Sequence, residues 1–172
     1  MKKVNRTKKR IFGLIFINVI LISSFLFPGC SGSNTDYESF LTGNGKLLYF
    51  IKPTDFNGET SDATIDMSFQ AFDTATGFCN FTINQKNDQP FKVINSQFTK
   101  DGKNTVTLFD VDRLFKEGDK SRFTGKFKYE EFKKLFNSKK IFFVIETDSH
   151  AIYKFEAGEK FYKILSDLSK DI

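Results

Sequence analysis

The chain has 172 residues, with 26 Lys and Arg against 21 Asp and Glu, which gives a net charge of +5. Six basic residues lie within the first ten positions and no acid precedes Asp36, so residues 30–172 carry 20 basic and 21 acidic side chains. Because that part has a net charge of −1, the sequence excludes a charge-driven nucleic-acid-binding protein, and no nucleic-acid partner is expected.

The N-terminus is built like an export signal. A basic segment ending at Arg10 is followed by the apolar residues 11–27, then by Pro28, Gly29 and Cys30. A basic region, an apolar stretch and a small residue before the cut are the parts of a secretory signal peptide. The sequence therefore predicts a signal peptide over residues 1–29.

The run Leu26-Phe27-Pro28-Gly29-Cys30 resembles the lipobox of bacterial lipoproteins, and the resemblance covers residues 1 to about 34. Gly29 fits the pattern, whereas Phe27 and Pro28 make the box looser and similar to that of spirochaete lipoproteins. The resemblance implies lipidation of the Cys30 thiol, acylation of the amine that cleavage frees, and attachment to the membrane through these acyl chains. It also implies a location in the bacterial cell envelope. Serine rather than aspartate follows the cysteine, which favours the outer membrane and leaves the periplasmic or surface face open.

An uncleaved membrane anchor is the alternative for this segment. Residues 11–27 number 17, the short limit for a spanning helix. The basic residues would then stay on the cytoplasmic side. Both interpretations export residues 30–172 and differ in whether lipid or peptide holds the chain.

The rest of the chain has the length of one ordinary domain. Small polar residues from Ser31 to Asp36 predict a flexible tether. We therefore expect an acylated cysteine and tether over residues 30–44 and a single β-rich domain over residues 45–172.

Alternating apolar and polar residues predict most of the fold. Period-two patterns indicate strands around Ile65–Ala71, Phe78–Ile83, Phe123–Tyr129 and Tyr153–Phe155, and a continuous apolar run indicates a central strand over Ile141–Ile145. Turn residues such as Asp101-Gly102 separate the strands. The fold class expected is mainly β, a small antiparallel sandwich or barrel, with an antiparallel α+β fold as the alternative.

Two short amphipathic helices complete this prediction. Tyr129, Phe132 and Phe136 share one helical face, and Asn137 closes that helix. The second helix carries its apolar side chains at i, i+3, i+4 and i+7, namely Phe161, Ile164, Leu165 and Leu168.

The sequence offers no convincing catalytic, cofactor or metal site. Asp110-Val111-Asp112 is a weak calcium half-site, because a glycine and a bidentate acid are missing. We interpret Asp112 instead as a helix N-cap before Leu114-Phe115 or as a turn residue. Three neighbours in the turn Asp148-Ser149-His150 cannot form a catalytic triad, and one histidine cannot hold a metal. A cluster of Asp110, Asp112 and His150 in one cleft would favour an enzyme.

Two features of the apolar residues remain open to interpretation. With Cys30 acylated, Cys79 has no partner in the chain, and its place in a strand pattern predicts a buried small hydrophobe. Nineteen of the 23 Phe lie beyond the signal. They predict a large core, or alternatively a Phe-lined cavity.

The function expected is that of a membrane-anchored, non-enzymatic envelope lipoprotein that binds a protein partner or assists envelope assembly in the periplasm. One alternative is a surface-exposed lipoprotein that binds a host or environmental ligand. Another is a carrier of lipid or a small ligand in a Phe-lined cavity. Neither cofactor nor metal is expected in any of the three.

Overall fold

A computed structural model describes residues 36–72, 74–84 and 91–172. It is mainly β, with 59% of the described residues in strands, and forms a nearly closed antiparallel barrel-like sheet with two short helices. The predicted fold class is therefore confirmed. The strands are β1 Tyr37–Leu41, β2 Leu47–Gly58, β3 Ala63–Gln70, β4 Thr76–Asn84, β5 Val93–Lys100, β6 Lys103–Thr107, β7 Phe109–Glu117, β8 Lys120–Lys128, β9 Ile141–Thr147 and β10 Ile152–Ala157; the helices are α1 Tyr129–Phe132 and α2 Glu159–Asp171.

The sheet curls because its two ends are consecutive in sequence. The strand order is β6-β5-β9-β10-β2-β3-β4-β8-β7, with β1 paired to β2 off this path. Only Leu108 separates β6 from β7, and its N–H donates to the carbonyl of Ser96 in β5 at 2.9 Å. A nearly continuous chain thus pairs with β5 through its first half and with β8 through its second half.

The first strand lies inside the range 30–44 that the sequence predicts as a tether. Strand β1 pairs with β2 from Tyr37 opposite Ile51 to Leu41 opposite Leu47. Tyr37 is buried, whereas Leu41 is 73% exposed. Such a short strand lacks a clear alternating pattern, and it forms because a partner strand is available. The fold therefore begins before Gly45.

Inward-facing aromatic side chains fill the interior of the sheet. Phe81 stacks on Phe123 at a ring-centroid distance of 5.2 Å, and Phe143 lies 5.0 Å from Phe81 and 4.7 Å from Phe98. The ring of Phe127 lies over Gly77, where even a methyl group would approach it to 2.3 Å. The rings contact one another as in an ordinary close-packed core.

The two helices cover apolar side chains of the sheet. In α2, Phe161, Ile164, Leu165 and Leu168 are buried as the helical spacing predicts, and the Phe161 ring lies 5.0 Å from that of Phe56 in β2. The first helix continues as a 3₁₀ turn over Lys133–Leu135, and Asn137 follows at φ +59°. Both helix predictions are confirmed.

The prediction of a helix N-cap at Asp112 is wrong. Asp112 lies within β7 and pairs with Thr124 of β8. Leu114 and Phe115, which the cap would have preceded, are 53% and 46% exposed in the same strand. Pairing with the long strand β8 decides the conformation here, and a local cap preference cannot compete with it.

Candidate functional site

The predicted lipidation site lies outside the described residues. Cys30, the signal peptide over residues 1–29 and the alternative anchor over residues 11–27 all precede Asp36, where the description begins. In the described ranges, no helix has the length and hydropathy needed to cross a membrane. The anchor at Cys30 stays a prediction.

Asp110, Asp112 and His150, whose clustering in one cleft would favour an enzyme, have different neighbours. An Asp110 carboxylate oxygen accepts from the Lys126 ammonium at 3.0 Å, whereas His150 Nδ1 lies 3.3 Å from a carboxylate oxygen of Glu146. Asp112 instead lines a small cleft of about 320 Å³. Among residues 36–72, 74–84 and 91–172, no group of three His, Cys, Asp or Glu side chains could hold a metal ion.

The turn Asp148-Ser149-His150 makes contacts that order the turn itself. Asp148 Oδ1 accepts from the backbone N–H of Lys92 at 3.1 Å, and the Ser149 hydroxyl lies 2.9 Å from that of Thr147. The acid, hydroxyl and imidazole therefore have three separate partners, and the turn connects β9 to β10.

Cys79 is fully buried in β4, as its place in the strand pattern predicts. Burial raises the pKa of its thiol well above the usual value, and the nearby Asp66 carboxylate raises it further, while Arg122 acts in the opposite direction. A thiol that is buried and protonated is a poor nucleophile. Cys79 therefore belongs to the core.

One interior strand of the sheet has an open edge. Strand β10 pairs with β9 from Ile152 to Glu156, but with β2 only from Phe155 to Ala157. On the β2 side, no described residue continues the ladder opposite Ile152–Lys154. Half of β10 is therefore exposed as an edge, although β10 stands between β9 and β2 in the strand order.

The backbone groups of this half-strand alternate between the two sides. Thr147 N–H donates to the Ala151 carbonyl on the β9 side, whereas Gly158 N–H donates to the Asp55 carbonyl on the β2 side. Since successive residues of a strand point their N–H and C=O groups in opposite directions, those of Ile152 and Lys154 face the open side.

A groove of about 850 Å³ runs along this open edge. One wall comes from β10 and the neighbouring β9, and the other from the chain that leaves β2, residues 57–61. Gly58 allows this departure, because a Cβ there would approach the Ser61 carbonyl to 2.3 Å. The groove therefore presents backbone donors and acceptors between two walls.

Side chains of both charges lie around the groove, close to the ring of Phe142. The Lys154 and Lys140 ammonium groups lie 3.9 and 5.0 Å from the centroid of the Phe142 ring. The Lys140 ammonium also lies 3.6 Å from the Glu156 carboxylate. Ile152 stands at the end of the open edge with 70% of its surface exposed.

Sequence reasoning found strand β10 but not its open edge. The alternation of Tyr153 and Phe155 indicates a strand, and nothing in a strand pattern shows where its neighbour ends. Two signals are available in retrospect. The Asn57-Gly58 pair ends β2, and Ile152 is an apolar residue on the strand face opposite to that of Tyr153 and Phe155.

The comparisons with known proteins add no family to these observations. No protein-family model matches the chain, and neither a curated protein nor a solved structure matches it.

Proposed function

We propose that this protein is a non-enzymatic, membrane-anchored lipoprotein of the bacterial cell envelope that binds an extended segment of a partner protein along the open edge of β10. Anchoring rests on the lipobox-like run that ends at Cys30. Binding rests on one observation: the ladder with β2 ends at Phe155, so the backbone groups of Ile152 and the N–H of Lys154 face a groove.

An open strand edge binds peptides because its backbone groups need partners. An extended segment that adds a strand satisfies them, and the resulting main-chain hydrogen bonds provide affinity that depends little on side-chain identity. The edge here is short, since β10 begins only three positions before Phe155, where the ladder with β2 starts. A peptide segment of a few residues fits this edge. Such a short contact suits a partner that is held in the same envelope.

The walls of the groove add side-chain contacts to this backbone recognition. Exposed Ile152 offers apolar contact at one end, and Lys154 offers a cation above the Phe142 ring. These groups recognise a peptide by its extended shape, and the groove needs no reactive residue to do so.

The proposal is tested by replacing Lys154 with proline and with alanine. Proline removes the N–H that faces the groove, and it is tolerated at strand edges where that N–H faces away from the neighbouring strand. Lys154→Ala removes the cation and keeps the N–H. With a photo-crosslinking amino acid at Ile152 in cells, we expect a discrete adduct that persists in Lys154→Ala and is lost in Lys154→Pro.

A crosslinker at Leu114, which is 53% exposed in β7, is the control for non-specific adducts. Urea unfolding of each variant checks that the fold is intact. An adduct at Ile152 that is equally strong in Lys154→Pro would contradict strand addition, as would the absence of any adduct at Ile152. Protease treatment of intact against permeabilised cells then separates the periplasmic from the surface location.

A further inference from the structure

The hairpin between β1 and β2, a few residues after the predicted lipid anchor in the sequence, exposes apolar side chains. Leu41 and Leu47 pair across the hairpin and are 73% and 45% exposed, and neighbouring Phe40 is 50% exposed. Leu41 and Leu47 share one face of the hairpin and Phe40 lies on the other, so three large apolar side chains are exposed around one tip. Monomeric soluble proteins seldom expose such a group without an interaction partner.

The turn at the tip of this hairpin is held by its own hydrogen bonds. Thr42 N–H donates to the Lys46 carbonyl at 2.8 Å, and Gly45 N–H donates to the Thr42 carbonyl at 2.9 Å. The Thr42 hydroxyl donates to the same Lys46 carbonyl at 2.6 Å. Gly45 adopts φ +76°, which the turn requires and glycine permits. The apolar side chains are therefore presented in an ordered arrangement.

The chain enters the fold at a point that is fastened to α2. The Asp36 carboxylate lies 3.3 Å from the Lys163 ammonium and 3.6 Å from that of Lys160, and the Asp36 carbonyl accepts from Lys52 N–H at 3.1 Å. The neighbouring Tyr37 hydroxyl donates to Asp171. Any pull exerted by the preceding chain is thus transmitted to the domain at Asp36.

Covalent distance keeps the hairpin near the predicted anchor. Five residues separate Cys30 from Asp36, and a fully extended chain of that length spans at most about 22 Å. From Tyr37 to Leu41, β1 adds about 14 Å. Because the tether makes contact with the bilayer intramolecular, even a weak apolar patch stays bound at the high local concentration of lipid.

We infer that the tip of the β1–β2 hairpin, comprising Phe40, Leu41 and Leu47, inserts into the interfacial region of the bilayer that holds the protein. This inference rests on the lipid anchor of the proposed function and adds a second contact with the membrane. Lys46 beside the tip, with its ammonium 3.9 Å from the centroid of the Phe72 ring, favours anionic headgroups. The contact fixes the orientation of the domain on its tether.

A fluorescent probe at the tip tests the inference on the acylated protein in vesicles of phosphatidylethanolamine and phosphatidylglycerol. Gly43 is a suitable labelling position, because a Cβ there meets no atom within 4 Å. Buried Cys79 and acylated Cys30 leave Gly43→Cys as the reactive thiol. We expect the emission of the attached probe to shift to shorter wavelength and to be quenched by lipids that carry a nitroxide near the headgroup.

Two further variants make the result specific. The same probe in a Leu41→Ser, Leu47→Ser background is expected to return to the emission of an aqueous probe. A probe at Leu114→Cys in β7 is expected to stay unquenched in both backgrounds. Urea unfolding confirms that the hairpin variants are folded.

Three other outcomes overturn the inference, and they are distinguished by flotation of the vesicles together with the emission and quenching of the probe. Protein that floats with vesicles while the Gly43 probe reports water sinks the inference and leaves the anchor standing. A shifted emission that nitroxide lipids do not quench means that protein, not lipid, covers the tip. Protein that does not float refutes the anchor at Cys30, and membrane docking of the hairpin falls with it.

Discussion

At the scale of single residues, a nearly buried ion pair on the outer face of the sheet is expected to be sensitive to substitution. The Asp66 side chain is 4% exposed and accepts from Arg122 Nη2 at 2.6 Å and from Asn80 Nδ2 at 2.7 Å. Arg122 Nη1 also donates to the Thr82 hydroxyl at 3.0 Å. Removing the cation would leave a carboxylate buried without its counter-charge. Arg122→Ala is therefore expected to lower the free energy of unfolding by about 3 kcal/mol, measured by urea denaturation.

A neighbouring ion pair on the same strand provides the control. Lys126 pairs with Asp110 at 3.0 Å, with side chains 39% and 62% exposed. Lys126→Ala is expected to change stability by less than about 1 kcal/mol, because exposed pairs are well solvated. Equal losses for Arg122→Ala and Lys126→Ala would show that burial of Asp66 does not determine the effect.

At the scale of elements, the C-terminal helix α2 depends on its apolar face. Leu165 is buried between the helix and the sheet, whereas Ser166 beside it is exposed. Leu165→Ala removes buried methyl groups and leaves a cavity, so we expect a loss of about 3 kcal/mol in the free energy of unfolding. Ser166→Ala keeps the helix and is expected to be nearly neutral or slightly stabilising. A small loss for Leu165→Ala in thermal and urea unfolding would mean that the helix packs only loosely on the sheet.

At the scale of the whole molecule, the Cys79 thiol links global stability to pH. Its pKa is raised in the folded protein by burial above the ordinary value of 9.0. At a pH above that value the unfolded chain loses the thiol proton while the folded chain keeps it, so the unfolded state binds fewer protons. The free energy of unfolding should therefore fall as the pH rises through 9, whereas it should be level with respect to this group at lower pH.

Replacing Cys79 by alanine tests this dependence of stability on pH, because it removes the thiol. Cys79→Ala should show a shallower fall in unfolding free energy between neutral and alkaline pH, measured by urea denaturation at each pH. In the native protein, a thiol reagent should modify Cys79 only as fast as the whole domain unfolds. Rapid modification under native conditions would refute the core position of this thiol.

Local periodicity was enough to predict most elements of this fold. The strands through Ile65, Phe81, Phe123 and Phe155 and the helix through Phe161–Leu168 follow from period-two and helical spacing, because burial of one face repeats in the sequence. Asp112 shows where that reasoning fails. Its local surroundings suit a helix cap, but pairing with β8 places it in a strand. Preferences for a cap are small compared with the hydrogen bonds and packing of a long ladder.

By itself, the sequence determined the mainly β class, the two helices and the expectation of an export signal with a lipidated Cys30, since these depend on local pattern and covalent chemistry. Only the tertiary structure decided that β1 joins the sheet, that the partner strand of β10 ends at Gly58, and that Leu41 and Leu47 stand exposed together. Each of these depends on which distant strand lies alongside, and strand pairing is a relation between separated segments. The open edge and the apolar hairpin, the two surfaces proposed to bind, are therefore products of register that no single segment encodes.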